Sequence, residues 1–220
     1  MRKFWVATKI FGDKIWGWKL RHISDKIYGM VVNYFGGGAF KLQSGETSLL
    51  VNPESNRFKA DVVLRTLAPA NFSAEDAVAP NEISFPGEYE IKGIEVLGVA
   101  VPEESGEKFV KTVYLVRWEE MNFAFLGHLS RMPSPAIIEK LNEPSVVFLP
   151  VDGGHFLAPE HAAKLAKQLE PAIIIPAFHK SPADFLKAMG QKVGAEEKFV
   201  FRKKDLAEKK NEVVVLQVKS

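Results

Sequence analysis

Two hundred and twenty residues, 46% of them hydrophobic, suit one sizeable α/β domain whose core closes without disulfide or metal staples. The absence of cysteine excludes disulfides, thiolate metal sites and a cysteine nucleophile, and it suits a reducing cytoplasm. The formal charge of +2 hides an asymmetry: residues 1–30 hold seven Lys/Arg against Asp13 and Asp25, so this stretch is +5 and the rest of the chain is −3.

Residues 1–28 read as a basic, aromatic-rich extension ahead of a domain spanning 29–220. The extension holds Trp5, Trp16 and Trp18, three of the four tryptophans. Lys9, Asp13 and Lys14 interrupt the apolar run that a signal peptide needs. No stretch of the chain approaches the roughly 18 consecutive apolar residues of a membrane span, so a cytoplasmic protein is expected. Trp16, Leu20, Ile23 and Ile27 follow a helix face, whereas Trp16, Trp18 and Leu20 also alternate as in a strand. Gly12 and Gly17 weaken a long helix, which favours one or two short amphipathic ones. The plain expectation for these aromatics is packing on the domain or on a second copy of it. A membrane surface or a protein partner is the alternative use.

From Met30 the pattern is regular. VVNYF, AFKLQ and SLLVN are short strands punctuated by Gly36-Gly37-Gly38 and Ser44-Gly45, a hairpin series. The triple glycine lacks the Lys-Ser/Thr that a phosphate loop requires. Next, ADVVLRTLAPANF, residues 60–72, is an apolar strand from Val62 to Leu64 that opens into a loop at Thr66. Residues 83–101 form a hairpin-like run with a turn at Pro86-Gly87. KTVYLVRW and MNFAFLGH are two further strands around Glu119-Glu120, and SPAIIEKL starts a helix with Ser134 as N-cap. The last third alternates strand and helix: SVVFLPV, PEHAAKLAKQLE, AIIIPAF and PADFLKAMG. FVFRKKDL and EVVVLQV close the chain as two strands. The charge run RKKDLAEKK, residues 202–210, is too mixed for a nucleic-acid groove, and no nucleic acid is expected.

This wording resembles the metallo-β-lactamase fold of zinc hydrolases, in the short-domain branch of UlaG-like type. Tyr34, Phe35, Gly36 and Phe40 match the family's first turn, and Asn52-Pro53 stands where it has Asp-Pro. Pro86-Gly87-Glu88-Tyr89-Glu90 followed by Lys92-Gly93, Leu149-Pro150-Val151 and Ile174-Ile175-Pro176 match later segments. The resemblance covers about residues 30–218. It implies a four-layer αββα sandwich and, in the family, a site of two metal ions clamping a water.

The metal motif is where the chain departs. The family's Ser/Thr-His-x-His-x-Asp-His loop, registered on Ala60, Asp61 and Thr66, places Leu67, Pro69, Asn71 and Phe72 at its ligand positions. The bridging aspartate of Leu-Gly-Asp corresponds to His128, and the last histidine of Ile-Pro-x-His falls on Phe178, with His179 one residue on. The resemblance therefore implies a vestigial pocket of Leu67, Pro69, Asn71, Phe72, His128, Phe178 and His179, with no cofactor and no catalytic residue. Leu67, Phe72 and Phe178 are expected to turn toward one another near His128. A relocated mononuclear site built on His128, Asp152, His155 and His179 is the competing expectation, and it would make the protein a metal-dependent hydrolase. Glu88 and Glu90 share one strand face and read as solvated carboxylates. His22 and His161 read as surface residues.

Overall fold

The structure, a computed structural model, describes residues 29–55, 57–71 and 80–219. Three strands open it: β1 (Met30–Tyr34), β2 (Phe40–Ser44) and β3 (Thr47–Val51). Then come β4 (Val62–Leu64), β5 (Leu67–Pro69), β6 (Glu82–Ile83), β7 (Gly87–Ile91), β8 (Ile94–Ala100), β9 (Phe109–Trp118) and β10 (Met121–Phe125). The remainder alternates as α1 (Pro135–Lys140), β11 (Val146–Pro150), α2 (Pro159–Leu169), β12 (Ile173–Ala177) and α3 (Ala183–Met189). Four short strands finish it: β13 (Ala195–Glu196), β14 (Phe199–Phe201), β15 (Glu212–Val213) and β16 (Val215–Leu216).

Two mixed sheets pack face to face, as the α/β sandwich expected. The smaller runs β14-β1-β2-β3-β4-β6 and the larger β15-β12-β11-β10-β9-β8-β7. Alternation along each strand sends one set of side chains inward. Met30, Val32, Leu42, Val62 and Leu64 of the smaller sheet meet Val96, Val116, Phe123, Phe125 and Phe148 of the larger in a single core. Each such side chain, fully buried, contributes about 1.5–3 kcal/mol. On the other face of the larger sheet, Val147, Leu149 and Ile174 meet Ala162, Leu165 and Ala166 of α2 and Phe185 of α3. Being covered on both faces is why every residue of β11 and β12 is buried and why both read as unbroken apolar runs. Ile137 of α1 joins the same cluster, so the three described helices share that face. None of the described helices is long and apolar enough to cross a membrane.

The site end follows from this topology. β10, β11 and β12 run parallel, so the turns after them, at His128, at Asp152 and at Phe178, gather at one end of the sandwich, where open α/β sheets hold their ligands.

Two local expectations need correction. The loop expected beyond Thr66 forms β5 instead, with Leu67 opposite Lys111 and Pro69 opposite Phe109. β9 outruns β10, whose pairing stops at Tyr114, and the strand Leu67-Ala68-Pro69 takes up that edge, with Thr112 N–H donating to Thr66 O and Ala70 N–H to Lys108 O on either side of it. Ser134 is the N-cap of α1 as expected, although its hydroxyl makes no capping bond. The expected last strand is divided at Val214, so that β15 extends the larger sheet while β16 pairs with β13. The helices expected in residues 1–28 lie outside the described residues.

Candidate functional site

Asn52, Thr66 and His128 form the centre of the strand-end cluster. Thr66, 1% exposed, donates its backbone N–H to Asn52 Oδ1 at 2.9 Å, and its hydroxyl lies 3.1 Å from the same oxygen. The hydroxyl also lies 2.7 Å from His128 Nδ1. An amide oxygen only accepts, so the Thr66 proton goes to Asn52 and Nδ1–H of His128 donates to Thr66 Oγ1. That tautomer leaves the lone pair on Nε2. Burial, with the Lys111 charge adding to it, pushes the His128 imidazole down to about 4, so the ring is neutral at physiological pH. Gly127 allows this approach. It sits at φ +48°, and a Cβ there would fall 2.2 Å from Thr66 Cβ.

Phe178 occupies the far side of His128. Its ring centroid is 4.8 Å from the imidazole and 4.4 Å from the ring of Phe156, which it stacks at 26°. Its backbone is left-handed, φ +52°, an outlier for a bulky residue. The N–H of Phe178 donates to Gly37 O at 2.7 Å, and the ring lies on Gly38, where a Cβ would meet Phe178 Cζ at 2.1 Å. The next residue, His179, stacks 6.2 Å from Tyr34. Among the described residues neither of its ring nitrogens finds a well-formed hydrogen bond, although the Pro176 carbonyl acts to raise its pKa. Burial lowers the His179 pKa and outweighs the opposing pull of that carbonyl and of Asp152.

On the other side of His128, a buried carboxylate organises the loops. Glu104, its side chain 3% exposed, pairs with Lys111 Nζ at 2.8 Å. It also accepts the Ser130 N–H at 2.8 Å, the Ser130 hydroxyl at 2.6 Å and the Arg131 N–H at 3.1 Å. Desolvation raises its pKa, and those donors together outweigh it and hold the carboxyl below its ordinary value. Lys111 donates as well to the His128 carbonyl at 2.7 Å. This pair locks the loop 127–131 onto β9, and removing one partner from such a pair would leave the other charge buried and unpaired. A cavity of about 640 Å³ opens beside it, lined among others by Leu67, Phe109, His128, Ser130, His155 and Phe156.

The residues singled out in the sequence are thus partly gathered. Leu67 and His128 line one cavity, and Phe178 packs on His128. Pro69 and Asn71 are exposed, and Phe72 lies outside the described residues. The relocated metal site needs correction. Asp152 and His155 are exposed, His128 is tied to Thr66, and His179 faces Tyr34. Among the described residues, no three His, Cys, Asp or Glu side chains come together to hold a metal ion. One imidazole whose Nδ1 is already bonded to Thr66 does not make a centre for a metal that ordinarily takes four donors, so the residues present do not fit the family's metals. Sequence reasoning missed Glu104 and Lys111. A carboxylate beginning a polar loop and a lysine at a strand start give no periodic signal, and only the fold puts them together.

Among curated proteins, none matches this chain. The family model described as a beta-lactamase superfamily domain matches residues 31–178. Solved structures share the fold. A Thermotoga maritima protein that bears the description of a Zn-dependent hydrolase of the metallo-beta-lactamase superfamily is 25% identical at a TM-score of 0.67, over 86% of this chain and 100% of that one. A metallo hydrolase of the archaeon Ignicoccus hospitalis is 17% identical at a TM-score of 0.60, over 87% of this chain and 97% of that one. A protein from Parabacteroides distasonis, described as a metal-dependent hydrolase, is 16% identical at 0.63, over 86% and 94%. With the family model matching more than half of its length, and the paired sheets and strand-end cluster arranged as above, the chain belongs to the metallo-β-lactamase superfamily.

Proposed function

We propose that this chain is a non-catalytic, hydrolase-like member of its superfamily, cytoplasmic, which binds a small ligand in the cavity beside His128. The observation that carries this reading is the replacement of donors by filling groups. Phe178, at a position that the resemblance gives to a histidine, lays its ring against Gly38 and His128, while the Nδ1 of His128 is spent on Thr66. The cavity supports a binding role. Leu67, Phe109 and Phe156 offer an apolar wall, and Glu107, Lys108, Lys111, His128, Ser130 and His155 bring charged and polar groups to the rest of the lining, which suits a small molecule with an apolar body and a polar or charged group. Hydrolysis as described for the Thermotoga maritima relative would need donors that the matching positions here do not supply.

The test is turnover. Supplied with zinc or manganese, the purified chain should hydrolyse neither a phosphodiester nor a lactam model substrate above background. The Leu67→His/Pro69→His variant should also fail, because two imidazoles leave the remaining donors missing. Metal-dependent turnover by either protein would sink the reading.

A further inference from the structure

The outer face of the larger sheet is covered unevenly. Helices bury it over β10, β11 and β12, but over β7, β8 and β9 the outward side chains of Glu88, Glu90, Glu95 and Arg117 are exposed. Glu95 and Arg117 keep 60% and 66% of their side-chain surface, although they approach to 3.9 Å. Between them, Leu97 and Leu115 are half-buried at the margin of the helix-side core. Together these residues line a hollow of about 610 Å³. It has an apolar floor and a rim on which carboxylates outnumber the lone guanidinium. Among the described residues, nothing covers it.

The chain itself carries a complementary segment that enters beside this face. Val31 pairs with Gln43, so Met30 lies beside Ser44, whose hydroxyl donates to Glu119 Oε1 at 3.2 Å. Met30 also pairs with Phe201, two residues before Lys203, which reaches Glu120 at 2.8 Å. Residue 29 is therefore next to the turn between β9 and β10, and Arg117 and Leu115 lead from that turn into the hollow. Twenty-eight residues reach about 42 Å even if wholly helical. The gap between packed sheets is about 10 Å and three strand spacings are about 15 Å, so the segment has length to spare. It carries Arg2, Lys3, Lys9, Lys14, Lys19, Arg21 and Lys26 against Asp13 and Asp25, with Trp5, Trp16 and Trp18 among them.

We infer that residues 1–28 dock on the outer face of β7, β8 and β9 of their own domain, with tryptophan on the Leu97–Leu115 floor and Lys/Arg against Glu88, Glu90 and Glu95. Burying aromatic area supplies the attraction. The charges set the register and make it salt-sensitive. This inference is independent of the proposed function, because the hollow and the His128 cavity are different places.

Two measurements on the full chain test it. The only tryptophan outside the segment is Trp118, 5% exposed in the core, so changes in emission report on the segment. Glu88→Lys/Glu90→Lys/Glu95→Lys should shift the emission to the red and raise acrylamide quenching several-fold, and 1 M salt should move the wild type the same way. Unchanged emission under both would overturn the docking. Because the chain has no cysteine, Glu90→Cys can be joined to nearby lysines by a short thiol-to-amine cross-linker and the products mapped by mass. Linkage within one chain to Lys3, Lys9, Lys14, Lys19 or Lys26 is expected. Linkage only to lysines of the domain, linkage only between isotopically distinct chains, or wild-type protein that sediments with phosphatidylserine vesicles through an uncovered segment would each overturn it.

Discussion

Two aromatic clusters in this molecule have almost the same ring geometry and a different backbone beneath it. Between the sheets, Phe125 and Phe148 stack at 4.5 Å and 16° on ordinary strands. At the strand ends, Phe156 and Phe178 stack at 4.4 Å and 26°, but Phe178 holds φ +52°, and its ring fits only because Gly38 has no Cβ. The first cluster is what alternating apolar strands produce unaided. The second is held by a turn whose shape suits some other side chain better than the one present. Its packing must offset a backbone penalty of about 1–3 kcal/mol.

Truncation tests that contrast most strongly. Phe148→Ala should cost about 3–5 kcal/mol in urea unfolding, as for a large buried aromatic, and Phe178→Ala should cost less because that ring is only half-buried. Glycine sharpens it further. At Phe148, Gly should be worse than Ala by about 0.5–1 kcal/mol, the usual penalty within a strand. At Phe178, Gly should be better than Ala by about 1 kcal/mol, because it relieves the left-handed backbone. The same order at both positions would remove strain from the account.

A smaller effect distinguishes the clusters by pH. The core holds no titrating imidazole, whereas His128 beside Phe178 has its pKa lowered to about 4 from about 6.5 in an unfolded chain. Between those values the unfolded state binds the proton and the folded state does not. Stability is therefore full above about pH 6.5 and falls as the pH drops toward 4, then levels off with respect to this group. His179, lowered in the same sense, adds to the fall. The loss should be on the order of 3 kcal/mol, and His128→Gln should remove most of it. A wild-type stability that is flat from pH 7 to 4.5 would contradict the burial assigned to His128.

Much of the sandwich was legible because period-two strands and doubly covered apolar runs such as Ile173–Ile175 announce their own burial. The family wording at Pro86–Glu90 and Leu149–Val151 added the arrangement of the sheets. The strand β5 was not legible. Leu67-Ala68-Pro69 is too short to show a period, and what fixes it is the excess length of β9, a property of distant residues. At the site, register alone placed Leu67 and Phe178 near His128, where the structure has them. The Asn52–Thr66–His128 chain and the Glu104–Lys111 pair could not. Each joins residues seven to 76 positions apart, and single polar residues carry no pattern that links them. The relocated metal site failed for the same reason in reverse: donors close to strand ends in sequence were turned apart by the loops that carry them.

The central claim, that the strand-end cluster is built without metal, is tested most directly by metal analysis of protein purified without chelator, paired with melting before and after a strong chelator. The account predicts zinc, iron and manganese well below one equivalent per chain and an unchanged melting temperature. Stoichiometric metal that disappears in His128→Ala, or a large drop in melting temperature on chelation, would contradict it.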